Sequence, residues 1–262
     1  MQALRGQYAY PPGRLEVAEG DDAPFIDIDG RRLCVVARST ADWARAEVRA
    51  GYSSVELDRF HMALLMSECT VDQRHGLLSC VTWGFISGTN LRITPARAFG
   101  KARSLKTGAG TKAPQDTADQ LRHLGDAQTA ARKGEIAAAL RACLQIKFIG
   151  PAFATKLVMM MRPDIAAVFD SVINERCRNN ADAALAAMHG KITSLPSQSA
   201  TDAFVSRYVA WCAWCASHAD ALNAQKLKWT DWDGAEHPWR AVDVERAFFA
   251  MGRDQAPANG PS

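Results

Sequence analysis

Three groups of residues have types and spacings that could do chemistry. The first lies in residues 144–174, LQIKFIGPAFATKLVMMMRPDIAAVFDSVIN. Here a helix ends near Ile146, residues 147–150 form a tight turn, and Pro151 opens a second helix whose free amides point back into that turn. Helix N-termini hold anions through unpaired N–H groups and the positive end of the dipole, and Gly150 lets a phosphate backbone come close. Lys147 and Lys156 flank the turn. Arg162-Pro163 then breaks the pattern, residues 165–169 are apolar and extended, and Asp170 stands where a third helix begins. Such an Asp has an ordinary role as an N-cap, and Gly-Pro is a common helix start.

The second group is basic. Arg92, Arg97, Lys101, Arg103, Lys106 and Lys112 occur without one Asp or Glu in residues 91–115, a local charge of +6. It reads either as a solvated face or as a patch that tracks phosphates. The third group is Cys212-x-x-Cys215 with His218, which on one helix could offer two thiolates and an imidazole. No second C-x-x-C completes a ligand set and no four-cysteine run could hold an iron–sulfur cluster, so we expect no metal and no cofactor.

The elements that must position these groups are mostly helical. Residues 24–28 and 31–36 read as short strands joined by Asp29-Gly30, a hairpin signal. Helical periodicity follows, with Thr40 capping 41–50 and Gly51 as its stop, then 55–66, then Thr70 and Gln73 as a capping box for a long apolar helix. Thr94-Pro95 starts another, residues 107–114 form an exposed loop, and helical pattern returns at 116 and at 135–146. Residues 201–222 carry Phe204, Tyr208, Trp211, Trp214 and Cys215 as one apolar stripe, more often core than pocket. Residues 228–239 form an ordered loop before a last helix at 242–251.

The whole chain of 262 residues carries only +3, which excludes a general polycation; with residues 91–115 set aside the remainder is −3. Its 48% hydrophobic content excludes a disordered chain. Seven scattered cysteines read as reduced core residues, and no apolar run approaches the ~20 residues of a membrane span. Residues 1–20 lack the signal-peptide pattern, so the expected location is the cytoplasm, away from membranes.

In order and spacing, residues 144–174 resemble the helix-hairpin-helix DNA glycosylases with a glycine, proline and aspartate loop, the HhH-GPD superfamily. Gly150-x-x-x-Ala154 matches the second half of the superfamily's hairpin, whereas Phe148 stands where its first glycine is usual. Asp170 falls eighteen residues after Ala152, the family spacing between the position inside the second helix and the catalytic Asp. Cys80-Val81-Thr82-Trp83-Gly84-Phe85 and residues 239–246 narrow the resemblance to the bacterial 8-oxoguanine DNA glycosylase-like proteins.

The resemblance implies a mainly α, two-lobed glycosylase-like fold, a helical domain at 40–253 with the helix-hairpin-helix at about 136–161; the hairpin signal adds a small N-terminal β element at 1–39, and the Pro, Gly and Asn content of 254–262 reads as a disordered tail. It implies a DNA N-glycosylase in which Asp170 stabilises the sugar cation and directs water. Ala152 replaces the lysine of the strand-cutting members, which implies a monofunctional enzyme; Lys156, one turn deeper, reads as a phosphate contact or a solvated side chain. Lys147, Ile149, Gly150, Ala152, Thr155 and Lys156, with Arg97, Lys101 and Arg103, would hold a DNA duplex against a monomer. Trp83, Phe85, Phe169, Trp211 and Trp214 are the candidates to receive a flipped base. The base is open among 8-oxoguanine, an alkylated purine and a modified phage base. A non-catalytic helix-hairpin-helix DNA-binding protein and a metal or redox enzyme centred on Cys212, Cys215 and His218 are the other two classes.

Overall fold

Turn chemistry sets the larger sheet. Asp29 and Gly30 both take positive φ, 50° and 82°, the conformation that suits a two-residue hairpin between right-twisted strands. They join β2 (Phe25–Ile28) to β3 (Arg31–Ala37) in antiparallel register, as the sequence predicts. An unforeseen strand, β1 (Gly13–Val17), pairs with the other edge of β3, giving the order β1-β3-β2. These facts come from a computed structural model that describes residues 1–8, 13–18, 25–37, 53–86, 95–178, 180–193, 195, 197–231 and 233–251. The helix expected at 41–50, Arg92 and the tail at 254–262 lie outside the described residues.

The protein is mainly helical. Helix α1 (Gln2–Gln7) precedes the sheet. Helix α2 (Ser54–Leu65) begins in a reciprocal box: Ser53 Oγ accepts from Glu56 N at 3.2 Å and the Glu56 carboxylate accepts from Ser53 N at 2.8 Å. The box expected at Thr70 and Gln73 does not form. Thr70 is already the first residue of α3 (Thr70–Ile86), and Gln73 donates instead to the Ser67 carbonyl at 2.8 Å. The chain turns earlier than expected because Ser67 Oγ accepts from Cys69 N at 3.1 Å.

Pro95 opens α4 (Pro95–Thr107), and Asp116 caps α5 (Thr117–Arg132) through Ala118 N at 2.8 Å. Then come α6 (Ile136–Cys143), α7 (Pro151–Met161), α8 (Ser171–Arg178), α9 (Ala183–Ala186) and α10 (Gln198–Ala224). A short pair, β4 (Trp229–Thr230) with β5 (Glu236–His237), precedes α11 (Ala241–Ala250). Among the described residues no helix is long and apolar enough to cross a membrane.

Helix α7 runs through the core. Leu157, Val158, Met159, Met160 and Met161 are all without exposed surface, as are Phe204, Tyr208, Trp211 and Cys215 of the α10 stripe. Each large apolar side chain so enclosed contributes ~1.5–3 kcal/mol, enough to hold α7 as a rigid platform. A second fixture is ionic and largely buried. Arg5 of α1 donates to Asp243 at 3.1 Å and to Ser54 Oγ at 2.7 Å, while Arg246 and Arg240 reach Asp58 at 2.6 and 2.8 Å. Three arginines shared between Asp58 and Asp243 clamp α1, α2 and α11 together.

Candidate active site

Asp170 is placed from both sides. The extended segment before it is tied down: Trp211 Nε1 donates to Val168 O at 2.8 Å, Phe169 N donates to Thr155 Oγ1 at 3.1 Å, and Ala241 N and Val242 N of α11 donate to Asp164 O and Pro163 O at 3.1 and 3.2 Å. After it, α8 starts. One carboxylate oxygen of Asp170 accepts from Val172 N at 3.0 Å and Ile173 N at 3.1 Å. The other faces Lys156 Nζ at 3.8 Å, with the two side chains 21% and 13% exposed. The N-cap engages one carboxylate oxygen and leaves the other beside the Lys156 ammonium.

Lys156 is therefore enclosed at the carboxylate, where the sequence offered a phosphate contact or a solvated side chain. Its Nζ sits 5.0 Å from the centroid of the Phe153 ring, which stacks on Phe85 at 4.3 Å and 14°. Gly84 of α3 permits this approach: a Cβ there would fall 2.6 Å from Phe153 Cε1 and 3.3 Å from Lys156 Cδ. Ala152, half-buried in the first turn of α7, bears no nucleophile.

A second acid is buried on α11. Glu245 of α11 is 3% exposed, and no hydrogen bond or ion pair holds its carboxyl among the described residues. Burial pushes this carboxyl up to about 8; Arg246 opposes the rise, the charge of Asp170 adds to it, and Lys156 and Arg5 oppose it. Tyr8 completes the group. Its phenol is raised above its ordinary range by burial and then by Glu245, with Arg246 opposing and Asp170 adding. Its ring meets Phe249 edge-on at 5.5 Å. Neither residue stood out in the sequence, because each depends on a helix more than two hundred residues away or at the opposite end of the chain.

The hairpin before α7 keeps a glycine-like backbone without the glycine. Phe148 adopts φ 68°, a left-handed conformation that costs a non-glycine residue ~1–2 kcal/mol. No side chain caps α7 at Gly150; Pro151 has no N–H, and Phe153 N and Ala154 N donate to Gly150 O at 2.9 Å. Gly150 and Lys147 are exposed and Ile149 is buried. The Lys147 ammonium is tied to the Ala113 carbonyl, and Gln115 accepts from Lys147 N at 2.8 Å. The 107–115 loop is thereby stitched to the hairpin.

The basic residues lie on that same side. Arg97, Lys101, Arg103, Lys106 and Lys112 are all exposed on α4 and its loop; Arg97 and Lys101 stand 5.6 and 5.5 Å from the Phe85 ring centroid, and Lys106 reaches Asp27 at 4.0 Å. Between α4 and the hairpin, Val81, Phe85, Lys101, Phe148 and Phe153 line a cavity of about 130 Å³.

Other expected contacts fall elsewhere. Thr155, expected on the DNA face, has no exposed surface and braces α7 against Phe169. Among the aromatic candidates Trp83, Phe169 and Trp211 are buried, while Phe85 and Trp214 are half-buried; Trp214 stacks on Trp211 at 5.5 Å and on the exposed His218 at 3.8 Å. Cys212 and Cys215 are buried, and burial pushes the Cys212 thiol up to about 12. Those thiols point into the core while His218 turns outward, its Nδ1 2.8 Å from Trp214 O.

A family model described as "Putative 8-oxoguanine DNA glycosylase OGG-like protein" matches residues 37–249. That range takes in α2 to α11 almost entirely, with the hairpin, Asp170, Lys156 and Glu245. No curated protein and no solved structure shows a significant match.

Proposed function

Because the chain belongs to the OGG-like family of 8-oxoguanine DNA glycosylases, we propose that it hydrolyses the N-glycosidic bond of a modified purine in duplex DNA, with 8-oxoguanine the first base to test. The observation that carries this reading is the state of Asp170: one oxygen fixed by two amides of α8, the other open beside Lys156. Departure of the base leaves positive charge on the sugar, and a preorganised carboxylate stabilises that charge without reorganising at the moment of reaction. The same oxygen can take the proton of the attacking water.

The rest of the site serves that step. The hairpin amides and the basic α4 face would grip phosphates, and their affinity would fall steeply with salt. The base leaves the stack to reach Asp170; Phe85, half-buried and stacked on Phe153 next to Lys156, is the ring we assign to stack on it or on the gap it leaves. In this reading water is the nucleophile, as the Ala152 position implies.

A panel of duplex and single-stranded oligonucleotides, each with one modified base, tests the proposal with wild type and Asp170→Asn, followed by alkali to cut abasic sites. Alkali-dependent cutting by wild type alone supports it. Tight, salt-sensitive binding without release from any substrate favours a DNA-binding module.

One observation favours a second reading of the same site. Lys156 Nζ is 3.8 Å from Asp170 and largely enclosed; acting as an amine nucleophile, it would give a strand-cutting enzyme despite Ala152. Borohydride trapping of a covalent complex with substrate, lost in Lys156→Gln, would establish that reading; cutting that always needs alkali would exclude it.

A further inference from the structure

We propose that Asp231, Asp233 and His237, on the hairpin that leads into α11, form a binding site for one divalent transition-metal ion, zinc by its ligand chemistry. The site is independent of the glycosylase reading. The ligand atoms of these three side chains all lie within 4.8 Å of one another, the one such grouping of His, Cys, Asp and Glu among the described residues. A tight turn between β4 and β5 brings them together. Asp231 N donates to Ala235 O at 2.9 Å and Gly234 N donates to Asp231 O at 3.0 Å. Gly234 takes φ 82° there, a conformation that suits glycine.

His237 supplies the observation that points to a ligand. It pairs with Trp229 across the hairpin, and side chains directly opposite share a face; the two rings stand 5.2 Å apart at 43°. So held, the imidazole has an enclosed Nε2 with no hydrogen-bond partner. Buried polar atoms are ordinarily satisfied, and an ion shared with two carboxylates would satisfy this one. Asp231 is buried and oriented by the start of α2, accepting from Ser54 N at 3.3 Å, Ser54 Oγ at 2.9 Å and Val55 N at 3.1 Å. Carboxylates that ligate metals are themselves hydrogen-bonded in this way. Asp233 is exposed, accepts from Ala235 N at 2.9 Å and has no ion pair among the described residues. The charges nearby do not oppose a cation: Arg5, stacked on Trp229 at 3.8 Å, is paired with Asp243, and Lys228 with Glu236.

The donor set selects the ion. One imidazole with two carboxylates suits zinc, with water completing the shell, whereas magnesium and calcium favour oxygen alone. Zinc ligands at ~2.0–2.2 Å from the ion stand ~3.4 Å from one another, so binding draws the exposed Asp233 side chain inward. The ion would fasten the hairpin to α2 through Asp231. It would also join the arginine clamp, because Ser54 Oγ accepts from Arg5 at 2.7 Å. Its role is to stabilise the fold that carries α11.

The test is calorimetric titration of the chelator-treated full chain with zinc chloride at neutral pH, with thermal unfolding in parallel. Wild type, His237→Asn, Asp233→Asn and Cys69→Ser are compared; Cys69 is an exposed thiol that could take zinc by itself. Wild type and Cys69→Ser should bind one zinc per chain with equal affinity. His237→Asn and Asp233→Asn should each bind at least ~100-fold more weakly, beyond the ~10–100-fold effect of an outer-shell partner. At a hundredfold excess over Kd, zinc should raise the wild-type melting temperature by ~5 °C and leave that of His237→Asn unchanged. Either ligand variant decides the matter if the other fails to fold. No zinc binding by wild type, equal binding by wild type and the ligand variants, or loss of binding in Cys69→Ser would overturn the proposal. Displacement of the zinc by millimolar magnesium would overturn the assignment to a transition metal.

Discussion

Glu245 makes a quantitative prediction about stability that is independent of any substrate. A carboxyl whose native pKa is raised favours the folded state less as pH climbs, because the unfolded chain releases its proton near 4.5 while the folded chain keeps it to about 8. Its contribution is thus fully present below about 4.5 and is lost as pH rises through about 8. At ~1.4 kcal/mol per pH unit, the loss at pH 7 is on the order of 3 kcal/mol. Glu245→Gln fills the same volume without the titration, so the variant should gain on wild type as pH rises. With a urea slope of ~3 kcal/mol per molar, the difference in midpoint should grow by roughly 1 M between pH 5 and pH 8. Urea unfolding followed by far-UV circular dichroism measures it. Parallel midpoints across that range would show that Glu245 titrates like an exposed glutamate and would refute the account of its burial.

Three further outcomes follow from named contacts. Arg5→Ala leaves Asp243 buried with one partner fewer and should cost ~3–5 kcal/mol in the same unfolding assay, although Arg5 precedes the family match. Gly84→Ala should displace Phe153 and Lys156, lowering stability by ~1–3 kcal/mol and slowing base release while DNA affinity holds. Arg97→Ala with Lys101→Ala should weaken DNA binding about equally for all sequences and lower the slope of log affinity against log salt by ~2, as read by fluorescence anisotropy across a salt series.

What the sequence could tell depended on how local each cause was. The Asp29-Gly30 hairpin, the Gly150-Pro151 helix start and the cap at Asp170 follow from neighbouring residues, and each is where the sequence puts it. The Thr70 box failed because the helix begins earlier: Ser67 Oγ takes Cys69 N, and Gln73 N donates to Cys69 O at 3.0 Å. Thr155, which the resemblance put on the DNA face, is buried because residues 165–169 fold back across α7. Glu245 reads as one of several charges in a polar-looking run, 243–246, until α1 and α10, packed on α11, bury it. Arg5 and Tyr8 were invisible for the same reason: their partners lie at the far end of the chain. Phe148 is the reverse case, since its departure from glycine was visible but not that the backbone would take the left-handed conformation regardless.

The central claim is that Asp170 stabilises the sugar cation, and the free base itself is the most direct readout. Base released from an 8-oxoguanine duplex in a single turnover should be measured by mass spectrometry for wild type and Asp170→Asn, alongside their affinities for an abasic-analogue duplex. The account predicts release by wild type, a fall of at least ~100-fold in Asp170→Asn, and affinities within a few-fold of each other. Equal release by the two proteins would contradict it.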